Sequence, residues 1–319
     1  MAFPNVSDII ATTIEKRSKK IADNVTKNNA LLAKLQTRGR SRPFSGGRLI
    51  YEELSFAENG NAGYYSGYDL LPVAAQDVIT AAQFDIKQAA CPVTISGLEM
   101  LQNAGPEQMI DLLSSRMDVA ESTMQNLICG GIYSDGTAAG GKQIVGLNAA
   151  VPIDPTAAAT YGGIAQNTWT FWQSKIKNVS GTTTLLGDMN ALWATLQRGA
   201  DRPDLIVADA TVWAAYVAAL QANQRFADAS VGNFGFPTLK YMDCDFVLDG
   251  GIGGFCQAGT AYMLNTKYIH YRPHSSRNMV PLSPNKRYAI NQDAEVQILA
   301  WAGALTMSGR QFQGRLDVN

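Results

Sequence analysis

His270 and His274 are the only histidines of the chain and stand four residues apart, the separation of a metal-ligating pair, with Cys244 and Cys256 preceding them. Structural zinc sites draw their cysteines from positions about two to four residues apart, and the interval here is far wider. A strand through this segment would also set His270 on one face with Tyr268 and Arg272. The glycine cluster Asp249-Gly250-Gly251-Ile252-Gly253-Gly254-Phe255 lacks the Lys-Ser/Thr of a phosphate loop and departs from the GxGxxG order, so it reads as a turn between strands. Glu52 and Glu53 are adjacent; on a strand they face opposite ways and cannot share work as an acid–base pair. No GxSxG elbow occurs, no cysteine carries a local catalytic signature, and two histidines leave few general bases. The expectation is a protein that is not an enzyme and needs neither cofactor nor metal.

Charge is more informative than reactive groups. Residues 1–48 carry ten Lys and Arg against three acids, and the rest of the chain carries 16 against 24. A basic leading arm on an acidic body is therefore expected. Cys91, Cys129, Cys244 and Cys256 form no CxxC and read as reduced thiols, which points to a product made in the cytosol. No signal-peptide segment opens the chain, and the most apolar stretch, Val296 to Met307, is too short to span a bilayer. No membrane partner is expected.

These residues need elements to hold them. Ile10, Ile14, Ile21, Val25, Leu32 and Leu35 recur at helical spacing among Lys16, Arg17, Lys19, Lys20, Lys27 and Lys34, so one amphipathic helix opening near Asn5 or Ser7 is predicted. Its narrow stripe must be buried on the body or on a neighbour. The arm's charge would also suit phosphates, although it lacks interleaved aromatics and a helix-turn-helix partner; solvation or packing on an acidic neighbour are the alternatives. Residues 43–78 read as an extended hairpin, with strands Leu49 to Phe56 and Tyr64 to Leu71 around Asn59-Gly60-Asn61-Ala62-Gly63. Its one base is Arg48, against Glu52, Glu53, Glu58, Asp69 and Asp77, and it holds Tyr51, Phe56, Tyr64, Tyr65 and Tyr68. A lone hairpin is marginal in water, so an aromatic-rich one is expected to lie on another surface, its own domain's or a partner's.

Pro106 and Glu107 open a long helix, with Met109, Leu113, Met117, Ala120, Met124 and Leu127 inward until Gly130-Gly131. At 1.5 Å per residue it would span on the order of 36 Å. Its methionines read as core rather than as a cofactor groove. A Gly/Ala/Thr/Pro-rich crossing follows over 136–163, anchored by Ile144-Val145-Gly146-Leu147. Then come a helix from Asp188 to Arg198, strand Leu205 to Ala208, and a helix from Thr211 to Gln221. Strands follow with Met242, Cys244, Phe246 and Leu248 inward, then over 261–265 and 267–272, and last a central strand from Val296 to Met307, apolar on both faces.

The order of these elements resembles the major capsid proteins of tailed bacteriophages of the Hong Kong 97 type. Local strings carry the likeness: Pro92-Val93-Thr94-Ile95-Ser96-Gly97-Leu98-Glu99 and Ile144-Val145-Gly146-Leu147 on either side of the long helix, then Pro203-Asp204-Leu205-Ile206-Val207-Ala208-Asp209 and Tyr262-Met263-Leu264-Asn265-Thr266-Lys267-Tyr268, and last Met307-Ser308-Gly309-Arg310-Gln311-Phe312-Gln313-Gly314. The resemblance implies an α+β, Hong Kong 97-like capsid fold with an N-terminal arm (1–42), an extended hairpin loop (43–78), a peripheral domain with a long spine helix (79–164 and 291–319) and an axial domain (165–290). It implies self-assembly into pentamers and hexamers of an icosahedral shell around double-stranded DNA, in a virion assembled in the host cytoplasm. An encapsulin-type nanocompartment around a cargo enzyme is the alternative.

The interface residues then expected are Tyr51, Glu52, Glu53, Phe56, Glu58, Tyr64, Tyr65 and Tyr68 on the loop. Lys16, Arg17, Lys19, Lys20, Arg38, Arg40 and Arg42 are expected on the arm. Some family members cross-link a loop lysine to a neighbour's asparagine; residues 43–78 hold no lysine, so a shell without that linkage is expected. The start at Met1 suggests a separate scaffolding protein. A portal protein, decoration proteins and non-specifically held DNA complete the implied partners.

Overall fold

The computed structural model describes residues 29–102, 106–181, 184–222, 230–231, 237–250, 254–282, 287–288 and 293–318. Lys16, Arg17, Lys19 and Lys20 lie outside them. In chain order the elements are α1 (Ala30–Thr37), β1 (Leu49–Ser55), β2 (Ile79–Asp85), β3 (Lys87–Ser96), α2 (Gly97–Gln102), α3 (Pro106–Tyr133) and α4 (Leu147–Ala150). After the two-residue strands β4 (Thr160–Tyr161) and β5 (Ile164–Ala165) come β6 (Lys175–Val179), α5 (Leu185–Leu196), β7 (Leu205–Ala208) and α6 (Ala210–Ala222). The remainder is extended: β8 (Ser230–Val231), β9 (Pro237–Tyr241), β10 (Cys244–Leu248), β11 (Thr260–Leu264), β12 (Ile269–Pro281), β13 (Arg287–Tyr288), β14 (Ala294–Met307) and β15 (Gly314–Val318).

Two sheets organise the chain. One has seven strands in the order β6-β15-β11-β7-β10-β9-β8, parallel at β7/β10 and β6/β15. The other has β14 between β12 and β3, with β13 beside its first residues. β14 is the central apolar strand that its composition predicts, buried throughout its second half. The chain's last strand, β15, returns to the seven-stranded sheet and not to the sheet of β14.

β7 shows how four residues join two cores. Side chains alternate across a strand, so Ile206 and Ala208 pack with α5 and α6 through Leu192, Met189 and Val212, while Leu205 and Val207 face the main core with Trp301, Leu305 and Tyr262. α1 closes that second face. Its Leu31, Leu32 and Leu35 are fully buried in the main core, and Lys34 donates to Asp245 Oδ2 at 2.8 Å and to the Asp204 carbonyl. This part of the predicted leading helix therefore buries its stripe on its own chain. Its first turn also starts inside the predicted span, at Ala30. Asn29 is extended, and its side-chain oxygen accepts from the N–H groups of Leu31 and Leu32, so a cap stands where one continuous helix was expected.

α3 runs 28 residues and passes through Gly130 and Gly131, which were expected to end it. Both glycines admit neighbours instead: a Cβ on Gly131 would lie 3.0 Å from Ile144, and one on Gly130 3.4 Å from Phe255. Met117, Ala120, Met124, Ile128 and Ile132 form the inner face, and Leu127, expected there, is exposed. Met242 is corrected too: it occupies the β9–β10 turn at φ +50° and is exposed.

Candidate inter-subunit surface

The predicted hairpin exists with a different return strand. β1 pairs antiparallel with β2, Leu49 opposite Asp85 and Ser55 opposite Ile79, and residues 64–71 form no strand. The reason is burial. Ala82 and Phe84 of β2 point inward beside Ile50 and Leu54 of β1, whereas Tyr64, Tyr65 and Tyr68 have no apolar face to share. The segment between the strands, residues 56–78, is a long projecting tip. Its hydrogen bonds are local: Asn61 N–H donates to Asn59 Oδ1 (3.0 Å), Asn61 Nδ2 to the Ala74 carbonyl (2.5 Å), and Ser66 N–H to Asp69 Oδ2 (2.8 Å).

The root of the loop is fixed to its own chain. Phe56 packs its ring 5.6 Å from that of Trp169 and 5.7 Å from that of Phe171. Gln83 N–H donates to the Gly162 carbonyl, and Phe84 meets Tyr161 edge-on at 5.4 Å. Glu52 faces inward and is 7% exposed; it accepts a hydrogen bond from Thr306 (2.8 Å) and pairs with Arg272 (3.1 Å). Two interface expectations are thus corrected. Glu52 is an internal partner because strand alternation turns it under the hairpin, and Phe56 is half-buried among its own aromatics. Glu53, on the opposite face of β1, is exposed with Tyr51.

Beyond that root the tip is bare. Tyr64, Tyr68, Leu70 and Val73 are each more than 90% exposed, and Tyr65, Leu71 and, at the start of β2, Ile79 more than half. Glu58, Asp69 and Asp77 are exposed beside them. Scattered surface apolars are ordinary; here they are gathered within one stretch, residues 64–79.

The arm's described bases divide. Arg38 pairs with Asp204 at 2.9 Å. Arg40 and Arg42 lie on a segment hydrogen-bonded to β12, where Arg42 N–H donates to the Tyr271 carbonyl and Tyr271 N–H to that of Arg40. His270, beneath this segment, is 4% exposed; burial and then the charges of Arg42, Arg40 and Arg272 hold it down at about 4. That field repels a cation, the reverse of a metal site. His274 packs against Phe44 (5.0 Å), away from any cysteine pair. All four cysteines are free, and burial raises each thiol above its ordinary range.

Sequence reasoning passed over Arg310 and Arg315, which are fully buried. Arg310 donates from Nε to the Ala150 carbonyl (2.5 Å) and from Nη2 to Gln166 (2.7 Å), 4.9 Å over the Tyr161 ring, so it caps the end of α4. Arg315 reaches Asn148 (2.7 Å), Gln257 (3.1 Å) and Asp317 (3.2 Å). No sequence signal set them apart, since Ser308, Gln311, Gln313 and Asp317 make the same ending polar.

An open groove of about 670 Å³ lies between α3 and β3, bordered by Val93, Val119 and Ala120. At its edge Arg116 and Ser96 hold the Glu99 carboxyl down near 2. Among the described residues no group of His, Cys, Asp or Glu could hold a metal ion, and no helix is long and apolar enough to cross a membrane.

Solved structures place this architecture. The chain superposes on the capsid asymmetric unit of cyanophage A-1(L) over 88% of its own length and 90% of that chain, with a TM-score of 0.64 at 16% identity. The fold is the Hong Kong 97-type capsid fold. The capsid of the native GTA particle matches over 88% and 89% of the two chains, with a TM-score of 0.60 at 10% identity. A chain of Microbacterium phage Oxtober96 matches over 91% of both, with a TM-score of 0.57 at 8% identity. No protein-family model and no curated protein matches the chain.

Proposed function

We propose that the chain is the major capsid protein of a tailed bacteriophage, which self-assembles through pentamers and hexamers into an icosahedral shell around double-stranded DNA. The observation that carries this reading is the bare tip of 56–78, rooted in its own body yet presenting tyrosines and carboxylates with nothing over them, on a fold otherwise seen in capsids. A shell subunit needs contacts that close around symmetry axes, and a reaching loop widens them. Stable interfaces bury on the order of 1,600 Å² in total, which an exposed loop helps to supply. The contact residues on this reading are Tyr51, Glu53, Glu58, Tyr64, Tyr65 and Tyr68, with Arg40 and Arg42.

The phage and GTA capsids matched favour a genome-enclosing shell over a nanocompartment with enzyme cargo. The chemistry is interfacial and not catalytic. The same reading takes 1–42 as arm, 43–78 as loop, 79–164 with the residues from 291 as peripheral domain and 165–290 as axial domain. We move β15 to the axial side of that division because it shares the axial sheet. A separate scaffolding protein, a portal protein and decoration proteins are the further partners, the location is the virion, and assembly takes place in the host cytoplasm. Without a lysine in 43–78, the shell is held non-covalently across that loop.

The test is electron microscopy of the purified full-length chain, alone and with its co-expressed scaffold. Closed shells tens of nanometres across are expected. In a parallel variant a short Gly/Ser linker replaces 57–77, keeping β1 and β2; it should stay folded and form none. Normal shells from that variant, or none from the intact chain under any condition, would sink the reading.

A further inference from the structure

Residues 38–48 and β12 run side by side as one basic ribbon. Ser41 bridges Tyr271 and Phe44 bridges His274 in parallel. The backbone bonds Arg42 N–H to Tyr271 O (2.9 Å), Phe44 N–H to Pro273 O (3.1 Å) and Ser275 N–H to Phe44 O (2.9 Å) hold the two segments together. Together they carry Arg38, Arg40, Arg42, Arg48, Arg272 and Arg277 with His270 and His274, and neither segment contains an Asp or a Glu. The chain's own carboxylates satisfy two of these bases, Asp204 on Arg38 and Glu52 on Arg272. Among the described residues no ion pair reaches Arg40, Arg42, Arg48 or Arg277, and the last three are exposed. His270 lies beneath these bases: burial first, and then the charges of Arg42, Arg40 and Arg272, lower its titration.

The complement stands on the same chain. Residues 49–86 hold no Lys or Arg, and Glu53, Glu58, Asp69, Asp77 and Asp85 are all exposed. Beside these acids are the bare faces of Tyr64, Tyr65 and Tyr68. Arginine suits both features at once, since its guanidinium pairs with carboxylate and stacks on aromatic rings. The loop's root already follows this rule within one chain, at Glu52 and Arg272.

We propose that the arginine ribbon of 38–48 and β12 is the receptor for the acidic, tyrosine-bearing loop of a second copy of the chain. This deepens the shell reading and rests on it: each copy would give one loop and receive one. Phosphates of nucleic acid are the rival occupant. The protein partner is favoured because the loop offers acids and aromatic faces together, with no base to repel the ribbon.

The test is a charge swap in the full-length chain. Arg42→Glu with Arg277→Glu, and separately Glu58→Lys with Asp77→Lys, should each lower shell yield about tenfold or more with little change in Tm, while the four changes together restore most of it. The milder Arg42→Gln with Arg277→Gln, which adds no new charge, should give an intermediate loss and separates contact from misfolding. Wild-type yield from the ribbon variants overturns the inference and leaves the shell reading standing, as does a swap that restores nothing. Normal shells holding less nucleic acid overturn it in favour of phosphate. A wild-type chain that never forms particles overturns the shell reading and this inference together.

Discussion

Glu52 on β1 and Arg272 on β12 meet at 3.1 Å beneath the root of the projecting loop. Both side chains are largely withdrawn from water, at 9% and 19% exposure. Removing one member of such a pair strands the other charge. Glu52→Ala is expected to cost about 2–4 kcal/mol, since it also takes the acceptor from Thr306. Glu52→Met with Arg272→Met should cost less than the single change. Denaturant unfolding of the unassembled subunit measures both, and a single-variant loss below roughly 0.5 kcal/mol would contradict the anchoring role.

His270 gives stability a pH dependence of defined sign. Burial, followed by the charges of Arg42, Arg40 and Arg272, lowers its folded value to about 4 from 6.5. The unfolded chain therefore binds the proton first as pH falls, and stability is lost between about 6.5 and 4. The full shift corresponds to roughly 3 kcal/mol. His270→Gln removes this term, so the gap between wild type and variant should close in the variant's favour as pH drops through that window. A gap that stays constant from pH 7 to pH 4 rules the mechanism out.

The elements legible in the sequence are those whose side chains answer to one burden. The β7 strand Leu205–Ala208 is apolar at every position and buried at every position; β14 is likewise central. The inner face of α3 follows the helical period from Met117 to Met124. The β2 strand was not legible, because Ile79-Thr-Ala-Ala-Gln-Phe-Asp offers only Ala82 and Phe84 to bury, while the tyrosines upstream looked more strand-like. Of the candidate surface, the acids and tyrosines were readable as types, but which of them turn inward was not. Glu52 and Glu53 differ by one step of the pleat, and only the pairing register decides which one meets Arg272. Arg310 and Arg315 escaped notice because a buried arginine is recognised by its acceptors, which come from residues far off in the chain.

The crossing after α3 depends on two glycines to different degrees. A Cβ on Gly146 would lie 2.2 Å from the Ile132 carbonyl oxygen, and backbone there cannot step aside. A Cβ on Gly131 would lie 3.0 Å from Ile144 Cδ1 and 3.2 Å from its Cβ, side-chain atoms that need give by only a few tenths of an ångström. Gly146→Ala is expected to cost about 3 kcal/mol or more and Gly131→Ala about 1 kcal/mol, read from the shift in denaturant midpoint. Equal losses at the two positions would mean that the chain around Ile132 relaxes.

The loop tip separates assembly from folding. Tyr64 and Tyr68 touch water over essentially their whole surface, and the hydrogen bonds around them close within the tip. Tyr64→Ser with Tyr68→Ser should therefore leave the subunit's stability within about 0.5 kcal/mol of wild type. If a neighbour covers these rings, the same variant loses on the order of 2 kcal/mol for each ring at each contact, and a shell repeats that contact in every subunit. Intact thermal unfolding of the subunit with failed or fragile shells in sedimentation is the expected pair of results. A variant whose shells match wild type in yield and in resistance to denaturant would show that the tyrosines remain in solvent after assembly.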